Sequence, residues 1–488
     1  MAGGARGLTG RVRADGPGGG GRRRGGRAAG QPGSRAAAGA RNRAVRIRRP
    51  NEEVTSGSPP VGAEGAPAVG RRADGPFGED SGTSGRLTLM TTANTTGTAT
   101  LTDGVRAEAT IDLAALRGNL AALRERVGSA AVMLAVKADA YGHGAVECAR
   151  EAVADGIGWL GCATPDEALA LRAAGIGPER ARILCWLWTP GGPWAEALRA
   201  DLDISVSGQW ALEELLSAVR GTGLPARVHL KVDTGLGRNG CQPHDWPQLV
   251  AAARRAEAEG LLRVVGVWSH FAAADEPGHP SIRAQLDSYR AALAAVEAAG
   301  LRPEVRHLAN SPAALLLPES HFDLVRTGLA AYGLSPVPGV GSPADFGLRP
   351  VMSLSARLAL VKQVPGGHGV SYGHHYTTPG PTTLGLVPIG YGDGVPRHAS
   401  GTGPVQIDGK WRTVAGRVAM DQFVVDLGGD TPAVGDEALL FGNGERGEPT
   451  AEDWARACGT ISYEIVTRIG ARVPRRYLGG SHAEGLPA

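Results

Sequence analysis

Beyond residue 89 the chain holds 31 Arg but only four Lys: Lys137, Lys231, Lys362 and Lys410. A composition that uses Arg wherever charge alone is needed retains Lys where a compact, deprotonatable amine is required. Lys137 follows the apolar run Val132–Val136, and Lys231 sits in another, Arg227–Val232. A lysine emerging from apolar surroundings can have its pKa lowered, because desolvation disfavours the ammonium; the plain alternative for Lys137 is a solvated barrel-rim residue. The neutral amine is what a Schiff base with an aldehyde requires. Lys362 and Lys410, at a strand end and in a hairpin turn, read as solvent-facing. For Lys231 the plain alternative is a surface pair with Asp233.

The elements that must position these amines follow a rhythm. Ile111–Val127 reads as a helix capped by Asp112, with Leu113, Leu116, Leu120, Leu123 and Val127 at helical spacing. Eight short apolar runs then alternate with Ala-rich amphipathic segments: Val132–Val136, Trp159–Ala163, Arg182–Trp188, Asp203–Ser207, Arg227–Val232, Val264–Ser269, Val305–Leu308 and Phe322–Val325. Apolar strands separated by helices indicate a parallel sheet covered on both faces. Eight such units predict an α/β fold, a (β/α)8 TIM-type barrel, whose chemistry collects at the C-terminal strand ends. Lys137, Thr164, Asp233, His270, Asn310, Ser311 and Arg326 each follow an apolar run. Strand ends need polar residues in any case, but that many at successive ends mark a barrel mouth.

Near Arg349 the pattern becomes alternating segments, Val351–Lys362 and Thr413–Leu427, between turns such as Tyr391-Gly392-Asp393-Gly394 and Ile407-Asp408-Gly409-Lys410. A mainly antiparallel β-domain is expected, interrupted by one helix capped at Thr450 with Asp453 three residues on. The expected boundaries are a barrel over 105–348, the β-domain over 349–480 and a tail over 481–488.

Residues 1–104 are expected to be a disordered extension. Residues 1–89 hold 16 Arg, no Lys, 7 acidic residues and 22 of the 74 Gly. Such a stretch buries too little apolar surface to offset its ordering entropy. Its net charge of +9 offsets −6 in the rest, which explains the overall +3. Met90 is expected to be the true start. The run at residues 21–27 resembles an RGG-like RNA-binding segment, but the acidic remainder gives no reason to expect a nucleic-acid partner. No apolar run approaches the ~20 residues of a membrane helix, and no apolar core follows the Arg-rich start as a secretory signal requires. Five scattered Cys without a CxxC pair argue for a reduced, cytoplasmic protein and against a structural zinc site. No second ligand is spaced for metal binding at His270.

AVKADAYGHG at Ala135–Gly144 resembles the cofactor-lysine motif of the alanine racemase family, with Asp139 where the family usually has Asn. The resemblance continues in family order through KVDTGLGRNG at Lys231–Gly240, SHFAAAD at Ser269–Asp275, LANSPA at Leu308–Ala313 and VRTGLAAYG at Val325–Gly333. It extends through VSYGHHY at Val370–Tyr376, PIGYGDG at Pro388–Gly394, GRVAMDQ at Gly416–Gln422 and the closing segment Ile461–Tyr477.

That resemblance implies an isomerase that interconverts L- and D-alanine with pyridoxal 5'-phosphate (PLP), supplying D-alanine for peptidoglycan. It implies that Lys137 holds PLP and acts as one base, and that Tyr372 of a partner subunit is the other. Two bases flanking the α-carbon avoid moving either one, and their reference pKa values are similar, ~10.4 for Lys and ~10 for Tyr. By the same resemblance Arg326 bonds the pyridine nitrogen. Since an arginine keeps its protons, the ring is a weak electron sink, which favours racemisation over transamination. His270 links Arg326 to the tyrosine. Tyr141, Asn310, Ser311, Tyr463 and the amides of Gly328 and Leu329 complete the cofactor contacts. Arg238 and the backbone of Met420 meet the substrate carboxylate. Lys231, carbamylated in many relatives, would orient Arg238, and Tyr391 and Asp421 shape the access corridor. Ala419 stands where many relatives carry Cys. A homodimer with shared sites is implied.

Three other functions compete: a broad-specificity amino-acid racemase, a basic amino-acid decarboxylase and a non-catalytic PLP carrier. A decarboxylase needs a cysteine acid that the matching loop lacks. Carriers of this type are single-domain, whereas this chain has a second domain that brings Tyr372.

Overall fold

The computed structural model describes residues 101–481. The expectations for Met90, for the RGG-like run and for most of both termini fall outside the described residues.

The first expected helix spans Leu113–Val127. The Asp112 carboxylate accepts the Ala115 N–H at 2.9 Å, and Gly128 ends the helix at φ 63°. Its buried stripe is Leu113, Leu116, Leu120, Leu123 and Val127, the periodic set read from the sequence.

All eight expected strands form. With β1 at Ala107–Asp112, they are β2 (Ala131–Ala135), β3 (Trp159–Cys162), β4 (Arg182–Cys185), β5 (Asp203–Val206), β6 (Ala226–Lys231), β7 (Leu262–Trp268), β8 (Val305–His307) and β9 (Leu324–Thr327). They make one parallel sheet in the order β8-β7-β6-β5-β4-β3-β2-β9. Its outer strands meet through Asp323 N–H to Arg306 O (3.1 Å) and Arg326 N–H to Ala309 O (3.0 Å), which brings the sheet round into a barrel. Leu134, Leu160, Ile183, Ile204, Leu230 and Val325 are among its fully buried side chains.

Two expectations shift. β9 runs on to Thr327, so Arg326 lies inside a strand, opposite Met133, rather than after one. The ladder is made by backbone groups and tolerates a charged side chain that finds partners.

β1 belongs to the other sheet. It pairs antiparallel with Met352–Arg357 and parallel with Arg475–Leu478. Residues 101–104, expected in the extension, are also part of the fold: Leu101 is buried and its carbonyl accepts from Arg357 Nη2 at 2.9 Å. Among the described residues the chain therefore enters the second domain's sheet before it builds the barrel.

That six-stranded sheet runs Lys410–Thr413, Pro404–Ile407, Glu437–Phe441, Met352–Arg357, β1 and Arg475–Leu478. The Asp408-Gly409 turn has both φ values positive, 50° and 69°, as a two-residue hairpin requires. A three-stranded antiparallel sheet (Leu360–Val364, Thr382–Val387, Phe423–Gly428) and a small hairpin (Gly369–Val370 with Tyr376–Thr377) complete the β-domain. The capped helix at Thr450 forms as Ala451–Cys458, and a second, Ser462–Thr467, follows it.

Among the described residues all five cysteines are free and no group of His, Cys, Asp and Glu could hold a metal ion. No helix there is long and apolar enough to cross a membrane.

Candidate active site

Lys137 leaves β2 at the barrel mouth and opens a turn of opposite hand to a normal helix. Ala138, Asp139, Ala140 and Tyr141 have φ between 51° and 56°. Left-handed backbone costs L-residues about 1–2 kcal/mol each, so the turn must be held from outside. Glu167 does this with one carboxylate: Oε1 accepts from Ala138 N–H (2.7 Å) and Oε2 from Ala163 N–H (2.8 Å). Asp139 accepts from Ala145 N–H at 2.8 Å. Asp and Asn are the non-glycine residues most tolerant of this region, so Asp139 in place of the family's Asn keeps the turn. Gly142 lies against Val466, where a Cβ would come within 2.4 Å of the Val466 carbonyl. That close approach brings the helix carrying Tyr463 to the turn, with the Tyr141 and Tyr463 rings 6.2 Å apart.

The Lys137 amine is half-buried, 5.6 Å from the Tyr141 ring centre. Burial, reinforced by the charges of Arg238 and Arg326 and opposed by Glu167, holds its pKa below the usual lysine range.

Lys231 is only 4% exposed, its Nζ 4.2 Å from the Trp268 ring centre, so the surface-pair reading with Asp233 is wrong. Asp233 is instead spent on the loop, accepting from the N–H groups of Gly235 and Gly237. Burial, then the charges of Arg326 and Arg238, bring the Lys231 pKa down to about 7. Arg238 is exposed and makes no hydrogen bond or ion pair among the described residues, which leaves its guanidinium available to an anion.

Arg326 is buried over the Trp268 ring, 4.8 Å from its centre. Burial lowers its pKa to about 10. Nη1 donates to His307 Nδ1 (3.2 Å) and His307 O (3.1 Å); Nη2 donates to Ser269 O (2.9 Å), Leu308 O (3.1 Å) and His270 Nδ1 (3.2 Å). Among the described residues all its bonds use the terminal nitrogens, which leaves the Nε–H as the donor for a ligand. An arginine can only donate, so His270 Nδ1 accepts and its proton sits on Nε2. Burial, reinforced by the surrounding cations, holds the His270 pKa well below 6.5, which keeps the ring neutral.

Beyond β9 the chain turns sharply. Gly328 N–H donates to Ser311 Oγ (2.9 Å), and a Cβ at Gly328 would fall 2.1 Å from the Tyr141 hydroxyl oxygen. The amides of Leu329 and Ala330 are fully buried and make no hydrogen bond among the described residues. Buried unpaired N–H groups are rare, and two in succession beside Ser311 and Tyr141 form a cradle for an anion. Tyr463, its pKa raised to about 12 by burial, stands near. Asn310 has a structural part as well, its side chain accepting from Ala313 N–H at 3.3 Å.

The remaining expected residues form a separate group on the β-domain. Tyr372 is 68% exposed at the tip of the small hairpin, and Met420 is 53% exposed. Ser371 Oγ donates to Arg417 O (2.6 Å), tying the hairpin to the Gly416–Gln422 loop. Tyr391 N–H donates to Ala419 O (3.1 Å), and Asp421 pairs with Arg472 (2.7 Å). The Met420 N–H has no partner among the described residues. No hydrogen bond, ion pair or ring contact joins Tyr372, Tyr391, Met420 and Asp421 to the Lys137 group among the described residues.

Sequence reasoning missed Glu167, whose signal was the capping box it forms with Thr164. It also missed Asp203, His229 and His307, which lie within the runs read as barrel strands.

The alanine racemase N-terminal domain family matches residues 111–336, and the alanine racemase C-terminal domain family residues 351–477. These spans contain every site residue expected from the sequence. The chain is 72% identical over 376 residues to the alanine racemase of Streptomyces coelicolor, covering 77% of this chain and 96% of that protein. It is 57% identical over 374 residues to the alanine racemase of Frankia casuarinae, covering 77% and 97%. The solved structure of the Streptomyces coelicolor alanine racemase superposes with a TM-score of 0.76, covering 76% of this chain and 98% of that one at 72% identity. The alanine racemase of the D-cycloserine producer Streptomyces lavendulae gives 0.76 at 65% identity, covering 78% and 98%.

Proposed function

The chain belongs to the alanine racemase family, and from that premise we propose that it interconverts L- and D-alanine with PLP held at Lys137. The observation that carries this reading is one barrel mouth holding a desolvated lysine amine, a buried arginine with a free Nε–H and two buried, unpartnered amides. These match the aldehyde, ring nitrogen and phosphate of PLP in turn. When bound, PLP supplies an aldehyde for Lys137 and a conjugated ring that delocalises the electron pair left on the α-carbon.

The chain's own residues handle the protons. Lys137 takes or returns the α-proton on one face, and Tyr372 of a partner subunit does so on the other. Tyr372 is exposed in its own chain and unconnected to its own Lys137 group, which supports service across a homodimer. His270, with its proton on Nε2, can donate to the tyrosine oxygen and favour its phenolate form. Arg326 donates to the ring nitrogen and keeps its proton. Arg238 and the free Met420 N–H bind the substrate carboxylate. Lys231, with a pKa of about 7, is largely neutral just above neutral pH. The neutral amine can add CO2, forming an N–C bond and releasing a proton, and the resulting anion would orient Arg238. Tyr391 and Asp421 border the corridor to the site. The D-alanine formed in the cytoplasm would serve peptidoglycan synthesis.

The test is turnover of L-alanine together with the visible absorbance of the bound cofactor, in the native protein and in Lys137→Ala. D-alanine formation and the absorbance are both expected to vanish in the variant. Covalent PLP retained by Lys137→Ala would overturn the site.

A further inference from the structure

A line of polar groups crosses the barrel interior beneath Arg326. His307 Nε2 lies 2.9 Å from His229 Nδ1, and His229 Nε2 lies 3.1 Å from Asp203 Oδ2. Asp203, His229 and His307 are all 0% exposed. Asp203 opens β5 at the end of the barrel away from Lys137. Its other oxygen accepts from Arg227 Nε at 2.7 Å, with Arg182 at 3.7 Å. Arg227, His229 and Lys231 alternate along β6, so their side chains share its inner face.

The sequence makes room for this line. His229 is level with Gly266 on β7, where a Cβ would fall 2.1 Å from His229 Nδ1. The Trp268 ring stacks on His307 at 5.5 Å and 2°, and Trp159 meets His229 edge-on at 5.7 Å. Each imidazole is thus packed against an indole ring.

The direction of every bond is then determined. A guanidinium only donates and a carboxylate only accepts. Arg326 Nη1–H must donate to His307 Nδ1, so the His307 proton is on Nε2. That proton points at His229 Nδ1, so the His229 proton is also on Nε2 and points at Asp203. Reversing either imidazole would set two donors against each other at the next link.

We propose that His307, His229 and Asp203 are positioning residues that aim the Arg326 donor through a one-way chain, Arg326→His307→His229→Asp203. The proposal rests on the reading of Arg326 as the partner of the PLP ring nitrogen. It adds that the tilt of that donor is set by a carboxylate on the far side of the barrel. Asp203→Asn should reverse the chain. The new amide oxygen will face Arg227, which turns the NH2 toward His229 Nε2. His229 and then His307 must move their protons to Nδ1, and the last of these opposes Arg326 Nη1–H.

The experiment is 15N NMR of histidine-labelled holoenzyme, with steady-state kinetics and the cofactor's visible spectrum. Native His229 and His307 are expected as neutral Nε2–H tautomers. In Asp203→Asn both should become Nδ1–H, the cofactor band should move, and kcat should fall about tenfold or more, as expected for a misdirected imidazole. KM for alanine should stay within about twofold, since Arg238 is untouched. Should Asp203→Asn fail to fold, His229→Phe, which can neither accept nor donate, breaks the chain at its centre and leaves the Asp203–Arg227 pair. Its kcat and cofactor band should change in the same sense.

A native His229 or His307 carrying its proton on Nδ1, or on both nitrogens, would overturn the proposal. So would a variant with a broken or reversed chain and an unchanged kcat and cofactor band. If the native protein bound no PLP while both histidines kept the Nε2–H tautomer, the functional reading would fail and the chain's direction would stand.

Discussion

The barrel mouth and the β-domain hold the two halves of the proposed site in opposite conditions. Arg326 is buried and Lys137 half-buried, and both are braced by named partners, Glu167 for the lysine turn and His307 for the arginine. Tyr372 stands 68% exposed and Met420 has an unpaired amide. The first group is preorganised by its own chain. The second is held in shape, through Ser371–Arg417 and Asp421–Arg472, but offered outward. In the proposed reading, one fold completes half a site and presents the other half to a second copy.

The largest effect expected from breaking the inner half is that of Lys137→Ala, a loss of racemisation of about four orders of magnitude, checked by D-alanine formation. On the outer half, Tyr372→Phe removes the hydroxyl and leaves the inner group intact. Activity should fall about 100-fold or more while the cofactor absorbance of Lys137 persists. A loss of absorbance with Tyr372→Phe would mean that the two halves are not separable.

The buried Lys231 bears on stability. Its folded pKa of about 7 lies well below the usual lysine value of 10.5. Between these values the unfolded chain binds more protons than the folded one, so stability rises with pH across that window. In CO2-free buffer, Lys231→Met should therefore raise Tm most at pH 7 and below, with the gain shrinking toward pH 10.5. A pH-independent change in Tm would count against the buried cation. The smallest effect belongs to Ala419: a thiol reagent directed at this position should leave activity within about twofold, because Ala offers no nucleophile there.

The sequence was most informative where one element reports on itself. Each barrel strand is a short apolar run, and Lys137, Ser311 and Lys231 could be placed by their distance from one. β1 could not, because its partners Met352–Arg357 and Arg475–Leu478 are hundreds of residues away and its composition does not reveal which sheet it joins. The left-handed turn at Ala138–Tyr141 was equally hidden, since it contains no glycine and is imposed by Glu167 from another unit. Asp203, His229 and His307 were read as parts of apolar strands. Asp203 and His229 each sit between two apolar residues, which was the available signal, whereas His307 beside Arg306 had none; the set becomes meaningful only when Arg326 is seen to need an acceptor. The exposed state of Tyr372 was legible only through the family resemblance, because a tyrosine in a turn carries no mark of the chain it serves.

The central claim is that each site takes Lys137 from one chain and Tyr372 from another. Mixing Lys137→Ala with Tyr372→Phe protein under conditions of subunit exchange, with distinct tags confirming mixed dimers, tests it directly. In a mixed dimer one site would have both defects and the other neither, so an equal mixture should recover about a quarter of native activity. Confirmed mixed dimers with no activity above that of the parent variants would contradict it.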